Sequence, residues 1–271
     1  VNGTEYVAHV VDGTGSVTVD VLPAGEYPVR VTAEIPNYGS VDEEDNLVVY
    51  NGTIDMNVTV VPADYPDNAT VIINSTVDGN YTVSVGDKTF NVTVVNGTGN
   101  VTLPVLPAGN YTVNVTSDVA NYDDLTETKE LTVNNGTISL DVTVDPVDYP
   151  DNVTALIKTD VSGEYLITVD NNEPIRVTLS NSTPNEVDLG VLSAGNHTVK
   201  VVSNITNYNI AENSKTATVN NGTVDVNVTV VPADYPEQGQ VIVNASVDGD
   251  YTVVVNGTEY VAHVVDGTGS V

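Results

Sequence analysis

Residues 81–95 read YTVSVGDKTFNVTVV, and this stretch decides the class of fold. On both sides of Gly86-Asp87, apolar and polar side chains alternate with a period of two residues. Successive side chains of an extended strand point to opposite faces, so this period predicts two strands that are each buried on one face. A Gly-Asp pair between such strands is typical of a tight turn. The stretch therefore predicts an antiparallel hairpin.

The same alternation continues along the chain and predicts seven strands in one unit. Turn pairs such as Asn96-Gly97 and Asn135-Gly136 separate the strands, because Asn and Gly accept the positive φ of tight hairpins. Helix-forming segments are scarce, so we expect an all-β fold with one small seven-stranded sandwich in each unit. The predicted strands are Ala69–Val77, Tyr81–Val85, Thr89–Val95, Val101–Val105, Tyr111–Thr116, Thr128–Val133 and Thr137–Val144.

The chain is built from repeats. The triplet Asp-Tyr-Pro begins at Asp64, Asp148 and Asp234, and residues 1–17 recur letter for letter as residues 255–271. We therefore expect a tandem array in which the units stack as an extended rod. The predicted limits are a partial repeat over 1–61, complete repeats over 62–145 and 146–230, and a partial repeat over 231–271.

Two interpretations account for the partial repeats. In the first, the sequence is a window from a longer tandem array. In the second, separate subunits exchange strands and complete each other's sandwich, which hides an open sheet edge. In both, we expect the partners to be other copies or repeats of the same protein along a filament. Segments such as 62–66 predict short, stiff links, because Pro fixes φ and cannot donate to a β-ladder.

The charge balance excludes several partners. The chain has 37 acidic and 7 basic side chains, which gives a formal net charge of -30. Binding to nucleic acid or to an anionic membrane surface requires clustered Lys and Arg, so we expect neither partner. No apolar run approaches the roughly 20 residues that a membrane-spanning helix requires. We therefore expect no membrane insertion of this sequence.

The motif Asn-x-Ser/Thr occurs twenty times, more than three times as often as independent placement of the residues would produce. This excess predicts a surface glycoprotein that carries N-linked glycans. A structural explanation competes with it, because a strand with Asn and Thr on its outer face produces the motif automatically. Asn181 is the weakest candidate, since Pro184 follows its motif. The candidates are Asn2, Asn51, Asn57, Asn68, Asn74, Asn80, Asn91, Asn96, Asn100, Asn110, Asn114, Asn135, Asn152, Asn181, Asn196, Asn204, Asn221, Asn227, Asn244 and Asn256.

Other chemical signals are weak. The chain has no Cys and three His, so neither a thiol nucleophile nor a repeated catalytic cluster is predicted, and we expect no enzyme, catalytic residue or cofactor site. The acidic run at 42–45 and the pairs Asp64 with Asp67 and Asp148 with Asp151 could bind calcium through oxygen ligands at domain junctions. Solvated acidic faces are the commoner explanation of such residues, and no recognised calcium-loop pattern is present.

Residues 95–102 (VNGTGNVT) and 106–113 (LPAGNYTV) resemble the Ig-like repeats of archaeal adhesin-like proteins, especially those of methanogens. The second segment is also similar to carboxypeptidase-regulatory and collagen-adhesin B-type sandwiches. The resemblance covers every unit, although Ser193 and His197 depart from it. It implies an Ig-like fold and a secreted, glycosylated cell-surface protein.

These observations predict a structural stalk or extracellular filament at the cell surface. The alternative is a repeated ligand-binding module that recognises glycans or other cell surfaces. Such a module would present an exposed Tyr cluster that recurs on one face of the repeats.

Overall fold

The computed structural model describes all 271 residues and contains strands, turns and loops without a helix. No helix able to cross a membrane is therefore present. The chain divides into two compact units. One contains residues 1–137 and 206–209, and the other contains residues 138–205 and 210–271. The predicted all-β class is confirmed.

The first unit begins with a two-stranded antiparallel ribbon, here called the N-terminal ribbon. It consists of β1 (Gly25–Ala33) and β2 (Val41–Val49), paired from Gly25 opposite Val49 to Ala33 opposite Val41. Residues 1–24 contain no strand of their own, although Val11 and Thr14 form an isolated bridge. The ribbon is therefore a single two-stranded sheet, and residues 1–24 add no strand to it.

The next eight strands form the first sandwich. A three-stranded sheet in the order β3-β5-β8 packs against a five-stranded sheet in the order β4-β10-β9-β6-β7, and every pair is antiparallel except β4 with β10. Seven of these strands have five or more residues, as predicted. The bounds are β3 (Met56–Val61), β4 (Ala63–Asp64), β5 (Thr70–Ser75), β6 (Gly79–Val85), β7 (Lys88–Val94), β8 (Thr98–Thr102), β9 (Gly109–Asp118) and β10 (Thr126–Asn134).

The alternation of residues 81–95 has the predicted consequence. Tyr81, Val83, Val92 and Val94 are all buried in one core between the two sheets, while the polar residues between them face outward. Each such side chain contributes roughly 1.5–3 kcal/mol when it is fully buried. The buried Tyr81 hydroxyl donates to the carbonyl of Val77 at 2.8 Å, so its polar atom is satisfied.

The strand pairing does not follow the repeat limits drawn from the sequence. The strand β3 lies before the limit at residue 62, yet it pairs with β5. Residues 140–144 lie before the limit at residue 146, yet they pair with residues 155–159. Pro62 ends β3 because it cannot donate to the ladder, and the chain then crosses to β4 in the other sheet. The Pro-containing segment is thus a switch between sheets inside one sandwich, where a link between repeats was expected.

The second unit contains a second sandwich with the same arrangement. Its sheets have the orders β11-β13-β16 and β12-β18-β17-β14-β15, and its core is separate from that of the first sandwich. Ala155, Ile157, Tyr165 and Ile167 are completely buried in it. The bounds are β11 (Leu140–Val144), β12 (Val147–Asp148), β13 (Asn152–Thr159), β14 (Gly163–Val169), β15 (Ile175–Leu179), β16 (Asn185–Val191), β17 (Gly195–Ser203) and β18 (Glu212–Asn220).

The last five strands, here called the C-terminal partial sandwich, complete the second unit. They form a three-stranded sheet in the order β19-β20-β23 and a two-stranded sheet of β21 and β22. They correspond to β3, β5, β6, β7 and β8 of the first sandwich, and their buried core is small. The bounds are β19 (Val226–Val231), β20 (Gln240–Ala245), β21 (Gly249–Val255), β22 (Thr258–Val264) and β23 (Thr268–Ser270).

Candidate functional site: the junction loop and the glycan acceptors

One loop-to-turn contact recurs at two places in the first unit. Asn121, between β9 and β10, has a left-handed backbone with φ of 70°, and its Oδ1 accepts the backbone N–H of Ala24 at 3.0 Å. Asn207 has φ of 67°, and its Oδ1 accepts the N–H of Ala108 at 3.1 Å. Both alanines belong to the Leu-Pro-Ala-Gly turn. Asn suits this position because it tolerates the left-handed region and carries a short amide acceptor.

The same loops also pair with the backbone of an Asn-Gly-Thr segment. The N–H of Gly52 donates to the carbonyl of Asn121 at 2.8 Å, and the N–H of Asp123 donates back to the carbonyl of Gly52 at 2.9 Å. Gly136 makes the equivalent two bonds with residues 206–209, each 2.9 Å long. At each place, the glycine and the Tyr of the loop form an isolated parallel β-bridge. We call this combined contact the junction contact.

Glycine is required at the junction contact by close approach. A Cβ at Gly136 would lie 2.2 Å from the carbonyl oxygen of Tyr65 and 2.8 Å from the ring of Tyr208. A Cβ at Gly52 would lie 2.8 Å from the ring of Tyr122. The sequence predicts a tight hairpin turn at Asn135-Gly136, and that prediction is wrong. The segment connects two strands of different sandwiches, and its glycine makes room for a neighbouring loop.

Tyrosine packing accompanies the junction contact. The rings of Tyr65 and Tyr208 meet edge to face, with centroids 5.2 Å apart and planes at 88°. Aromatic pairs of this geometry contribute roughly 0.5–1.5 kcal/mol beyond the area that they bury. Tyr122 is partly buried, whereas Tyr38 at the matching position of the N-terminal ribbon is 80% exposed. The Asn-Tyr pair, which sequence reasoning missed, recurs at 37, 121 and 207 and could have signalled the contact.

Three of the candidate calcium ligands contact a side chain of the protein. Asp64 Oδ1 accepts the side-chain amide of Asn134 at 2.8 Å, and Asp148 accepts that of Asn220 at 2.9 Å. Within the acidic run at 42–45, Asp42 forms an ion pair with Arg30. No group of three or more His, Cys, Asp or Glu side chains is placed to hold a metal ion. Asp42, Asp64 and Asp148 are therefore each held by a partner side chain of the protein.

The candidate glycan acceptors lie on the surface, with nineteen exposed and Asn244 partly buried. In six of them, Oδ1 accepts a hydrogen bond from a Thr hydroxyl directly opposite on the neighbouring strand. Cross-strand pairs of this kind stabilise a sheet, which supports the structural explanation of the frequent motif. The pairs are Asn74–Thr98, Asn80–Thr93, Asn110–Thr132, Asn114–Thr128, Asn196–Thr218 and Asn244–Thr268, at 2.8–3.2 Å.

These six pairs use the amide oxygen, whereas an N-linked sugar is attached to the amide nitrogen. Five other candidates use that nitrogen as a donor, for example Asn51 to Asp123 at 3.1 Å. Asn96 lies at the tip of a turn in which it and Gly97 both have positive φ, as in a type I′ hairpin. The five candidates with an engaged nitrogen are Asn51, Asn135, Asn152, Asn181 and Asn204.

The Asp78 carboxylate anchors the Asn96 turn. It accepts the backbone N–H groups of Asn96 and Gly97, both at 2.8 Å. The bond from Gly97, and to a smaller extent the bond from Asn96, holds the pKa of Asp78 below its ordinary value, because both bonds favour the charged carboxylate. The turn that presents Asn96 is therefore fixed from below by an ionised side chain.

His197 replaces a tyrosine without losing its contact. Tyr111 in the first sandwich donates through its hydroxyl to the carbonyl of Pro107 at 2.7 Å. At the matching position, His197 lies 2.8 Å from the carbonyl of Ser193 through Nε2 and 2.8 Å from Asp170 through Nδ1. Both neighbours are acceptors, so the protonated ring satisfies them best. The hydrogen bond to Asp170 has the largest effect and raises the pKa of His197, and the bond to the carbonyl of Ser193 raises it further.

The sequence matches no protein-family model and no curated protein. Among solved structures, Escherichia coli alpha-2-macroglobulin activated by porcine elastase is similar over 86% of this chain, with 13% identity and a TM-score of 0.31. This chain spans only 27% of that protein. The fibronectin(III)-like modules of Clostridium thermocellum CbhA match over 61% of this chain and 95% of their own, with 14% identity and a TM-score of 0.28.

A Ca2+-stabilized adhesin that helps an Antarctic bacterium reach out and bind ice is also similar. The match covers 91% of this chain and 73% of the adhesin, with 17% identity and a TM-score of 0.27. Identities and TM-scores of this size do not identify a function. The sheet orders and the strand pairing of this chain establish its fold as all-β, with two complete sandwiches that each have seven strands of five or more residues.

Proposed function

We propose that this protein is a structural, glycosylated component of the cell surface, a stalk or extracellular filament of tandem Ig-like repeats without enzymatic activity. The recurring junction contact carries the proposal. The same Asn-Tyr loop meets the same turn and the same glycine at two places, with distances that agree within 0.1 Å. Both places lie within the first unit, and the agreement of the distances shows that the contact is a property of the repeated sequence.

The atoms used in the junction contact favour stiffness. Four of its six hydrogen bonds join backbone to backbone, and the other two use the short side chain of Asn. Backbone atoms have no rotamers to change, so such a contact tolerates less bending than one made by long charged side chains. A contact that resists bending is the property that a stalk needs.

The surface supports the same proposal. A net charge of -30 makes copies repel one another, which opposes collapse and aggregation. Exposed Asn residues of the glycan motif lie on several strands and turns, so N-linked glycans would cover the sheets and their edges. The partners in this proposal are other repeats or copies of the protein and the attached glycans, outside the cell.

The ligand-binding alternative has less support. It requires exposed Tyr side chains that recur on one face of the repeats. In the first sandwich, Tyr65, Tyr81, Tyr111 and Tyr122 are all buried or partly buried. Tyr149 in the second sandwich is 48% exposed, whereas its counterpart Tyr65 is partly buried, and the well-exposed Tyr38, Tyr50 and Tyr235 lie outside the two complete sandwiches.

Electron microscopy of the native assembly tests the proposal. We expect thin fibres beaded at roughly 35 to 45 Å, an estimate from strands of seven or eight residues plus their loops. The double variant Asn121→Ala with Asn207→Ala should make the fibres more flexible, because both junction acceptors are lost. Asn46→Ala, which changes an exposed Asn on β2, is the matched control. Compact particles without fibres would contradict the stalk, and equal native and deglycosylated masses would contradict glycosylation.

A further inference from the structure

We propose that Asn256 is a site of spontaneous deamidation, and that the fold protects other Asn-Gly pairs by binding the N–H of their glycine. The protected pairs begin at Asn51, Asn96 and Asn135. An Asn is most reactive when Gly follows it, because glycine has no Cβ to obstruct the approach of its nitrogen. The proposal concerns the covalent chemistry of the chain and goes beyond the stalk function.

The reaction requires a free backbone nitrogen on the glycine. This nitrogen attacks Cγ of the Asn side chain, and a five-membered succinimide ring forms as the bond from Cγ to the amide nitrogen breaks. The amide group leaves as ammonia and carries away the proton of the glycine nitrogen. Water then opens the ring at either carbonyl and leaves aspartate or isoaspartate, so each event adds an ionised carboxylate at neutral pH. A hydrogen bond that holds the glycine N–H must break before the attack.

Asn96 and Asn256 allow a direct comparison, because both are exposed and both begin an Asn-Gly-Thr turn. Their φ values are 53° and 50°, and those of the following Gly97 and Gly257 are 80° and 79°. The two turns differ in the partner of the glycine. The N–H of Gly97 donates to the Asp78 carboxylate at 2.8 Å, whereas the N–H of Gly257 has no acceptor in the protein. The structure therefore holds the attacking nitrogen in one turn and leaves it free in the other.

The open turn at Asn256 is a regular feature of the repeat. It joins β21 to β22, and the matching turn of the first sandwich joins β6 to β7 through Gly86 and Asp87. A Cβ at Gly86 or at Gly257 would meet nothing within 4 Å. The N–H of Asp87 also has no acceptor in the protein. The accessibility of this turn is therefore the same in a complete sandwich.

The junction contact protects the pairs at Asn51 and Asn135. The N–H groups of Gly52 and Gly136 each donate to a backbone carbonyl of that contact, at 2.8 and 2.9 Å. The side-chain amides of Asn51 and Asn135 are also bound, at 3.1 and 3.5 Å from their acceptors. Isoaspartate would add a methylene group to the backbone beside Gly136, where a Cβ would lie 2.2 Å from a carbonyl oxygen. The contact therefore opposes the reaction that would disrupt it.

Peptide mapping by mass spectrometry tests the proposal on the full chain, produced without glycans and incubated at mildly alkaline pH. The fraction of aspartate and isoaspartate at each Asn is followed over time. Asn96 should react roughly 10- to 100-fold more slowly than Asn256, because a hydrogen bond to a charged carboxylate must first break. Asn51 and Asn135 should also react more slowly than Asn256.

Two variants separate the hydrogen bond from other causes. Asp78→Ala removes the acceptor of the Gly97 N–H and should raise the rate at Asn96 to that at Asn256. Its matched control, Asp87→Ala, removes an exposed carboxylate of the same sandwich and should leave Asn96 slow. The double variant Gly86→Asn with Asp87→Gly keeps Asp78 and places an Asn-Gly pair in the open turn of the complete sandwich. This new pair should react as fast as Asn256.

Three results would overturn the proposal. Equal rates at Asn96 and Asn256 in the unmodified chain would show that the hydrogen bond gives no protection. A faster reaction at Asn96 would show that the Asp78 carboxylate assists the attack by accepting the proton. A slow reaction of the pair introduced by Gly86→Asn with Asp87→Gly would show that the open turn does not permit the attack. None of these results would contradict the stalk, which the microscopy of the native assembly tests independently.

Discussion

Residues 1–17 and 255–271 have the same sequence but different structures. In the C-terminal copy, residues 258–264 form β22 and pair along their whole length with β21. In the N-terminal copy, the matching residues form no strand. Val264 is 2% exposed, and Val10 at the same place in the repeat is 67% exposed. The alternating pattern therefore makes a strand possible, but a paired neighbour is needed to form it.

The turns behave differently from the strands. Asn2-Gly3 and Asn256-Gly257 have the same positive φ values within a degree, although only the second pair connects two strands. Asp12-Gly13 and its C-terminal counterpart also agree, and each closes an isolated bridge. These conformations depend on two residues and their own backbone, so they form without a tertiary partner.

A second pair of identical segments supports the same conclusion. Residues 57–66 and 227–236 both read NVTVVPADYP. In the first copy, Ala63–Asp64 forms β4 and pairs with β10, and Tyr65 packs against an aromatic ring. In the second copy, residues 233–234 form no strand, and Tyr235 is 98% exposed. The crossing to the other sheet after this proline thus requires a partner strand, which is β10 in the first sandwich.

The largest expected difference is between Val264→Asp and Val10→Asp. The first change buries an unpaired carboxylate and should destabilise the C-terminal partial sandwich by about 3 kcal/mol or more. The second change lies on an exposed segment and should alter the free energy of unfolding by less than about 0.5 kcal/mol. Amide hydrogen exchange of residues 249–264 measures both effects. Similar exchange in the two variants would show that burial does not distinguish the copies.

A smaller difference is expected between Val58→Ala and Val228→Ala. Val58 is buried in the first sandwich, so loss of its two methyl groups should cost roughly 1–3 kcal/mol through lost burial and the cavity that remains. Val228 is more than half exposed, so Val228→Ala should lower the free energy of unfolding by less than about 0.5 kcal/mol. Urea unfolding followed by tyrosine fluorescence compares them. An equal loss at both positions would show that burial does not distinguish Val58 from Val228.

The two complete sandwiches should differ in how their stability depends on pH, because His197 in the second occupies the position of Tyr111 in the first. The raised pKa of His197 means that its stabilising contact with Asp170 is complete below the ordinary value of 6.5 and is lost as the pH rises through the raised value. The lowered pKa of Asp170 makes its own contribution present above 3.8 and lost as the pH falls through the lowered value. The second sandwich should therefore be most stable in the window between these limits. His197→Tyr should remove the loss on the alkaline side while leaving the first sandwich unchanged in hydrogen exchange.

The smallest expected difference concerns the turns. Gly257→Ala forces a Cβ into the left-handed region and should destabilise the β21–β22 hairpin by about 1 kcal/mol. Gly3→Ala strains the same turn but breaks no strand pair, so the free energy of unfolding should stay within about 0.5 kcal/mol. Thermal unfolding of the two variants provides the measurement. A large loss from Gly3→Ala would reveal a folded partner for residues 1–17.

Reasoning from the sequence placed five strands of the first sandwich with shifted ends, but the strand expected over 101–105 lies at 98–102. Residues 81–95 formed the expected hairpin, because period-two alternation and a turn pair are local signals. The strand expected at 137–144 exists over part of that range, but it belongs to the second sandwich. The exposed candidates for glycosylation were also accessible to this reasoning, since Asn and Thr lie on the outer face of strands such as β7.

The sequence by itself determined the all-β class, the repeat and tight turns such as Asn96-Gly97, because these depend on residues that are neighbours along the chain. The tertiary structure decided which strands pair and that the chain crosses to the other sheet at Pro62. It also decided that position 136 requires glycine, because a neighbouring loop leaves no room for a Cβ. It also decided the junction contact, in which Asn121 meets Ala24 across 97 positions of sequence. Contacts of this kind depend on which surfaces the fold brings together, and two identical segments of seventeen residues with different structures show that local sequence cannot supply that information.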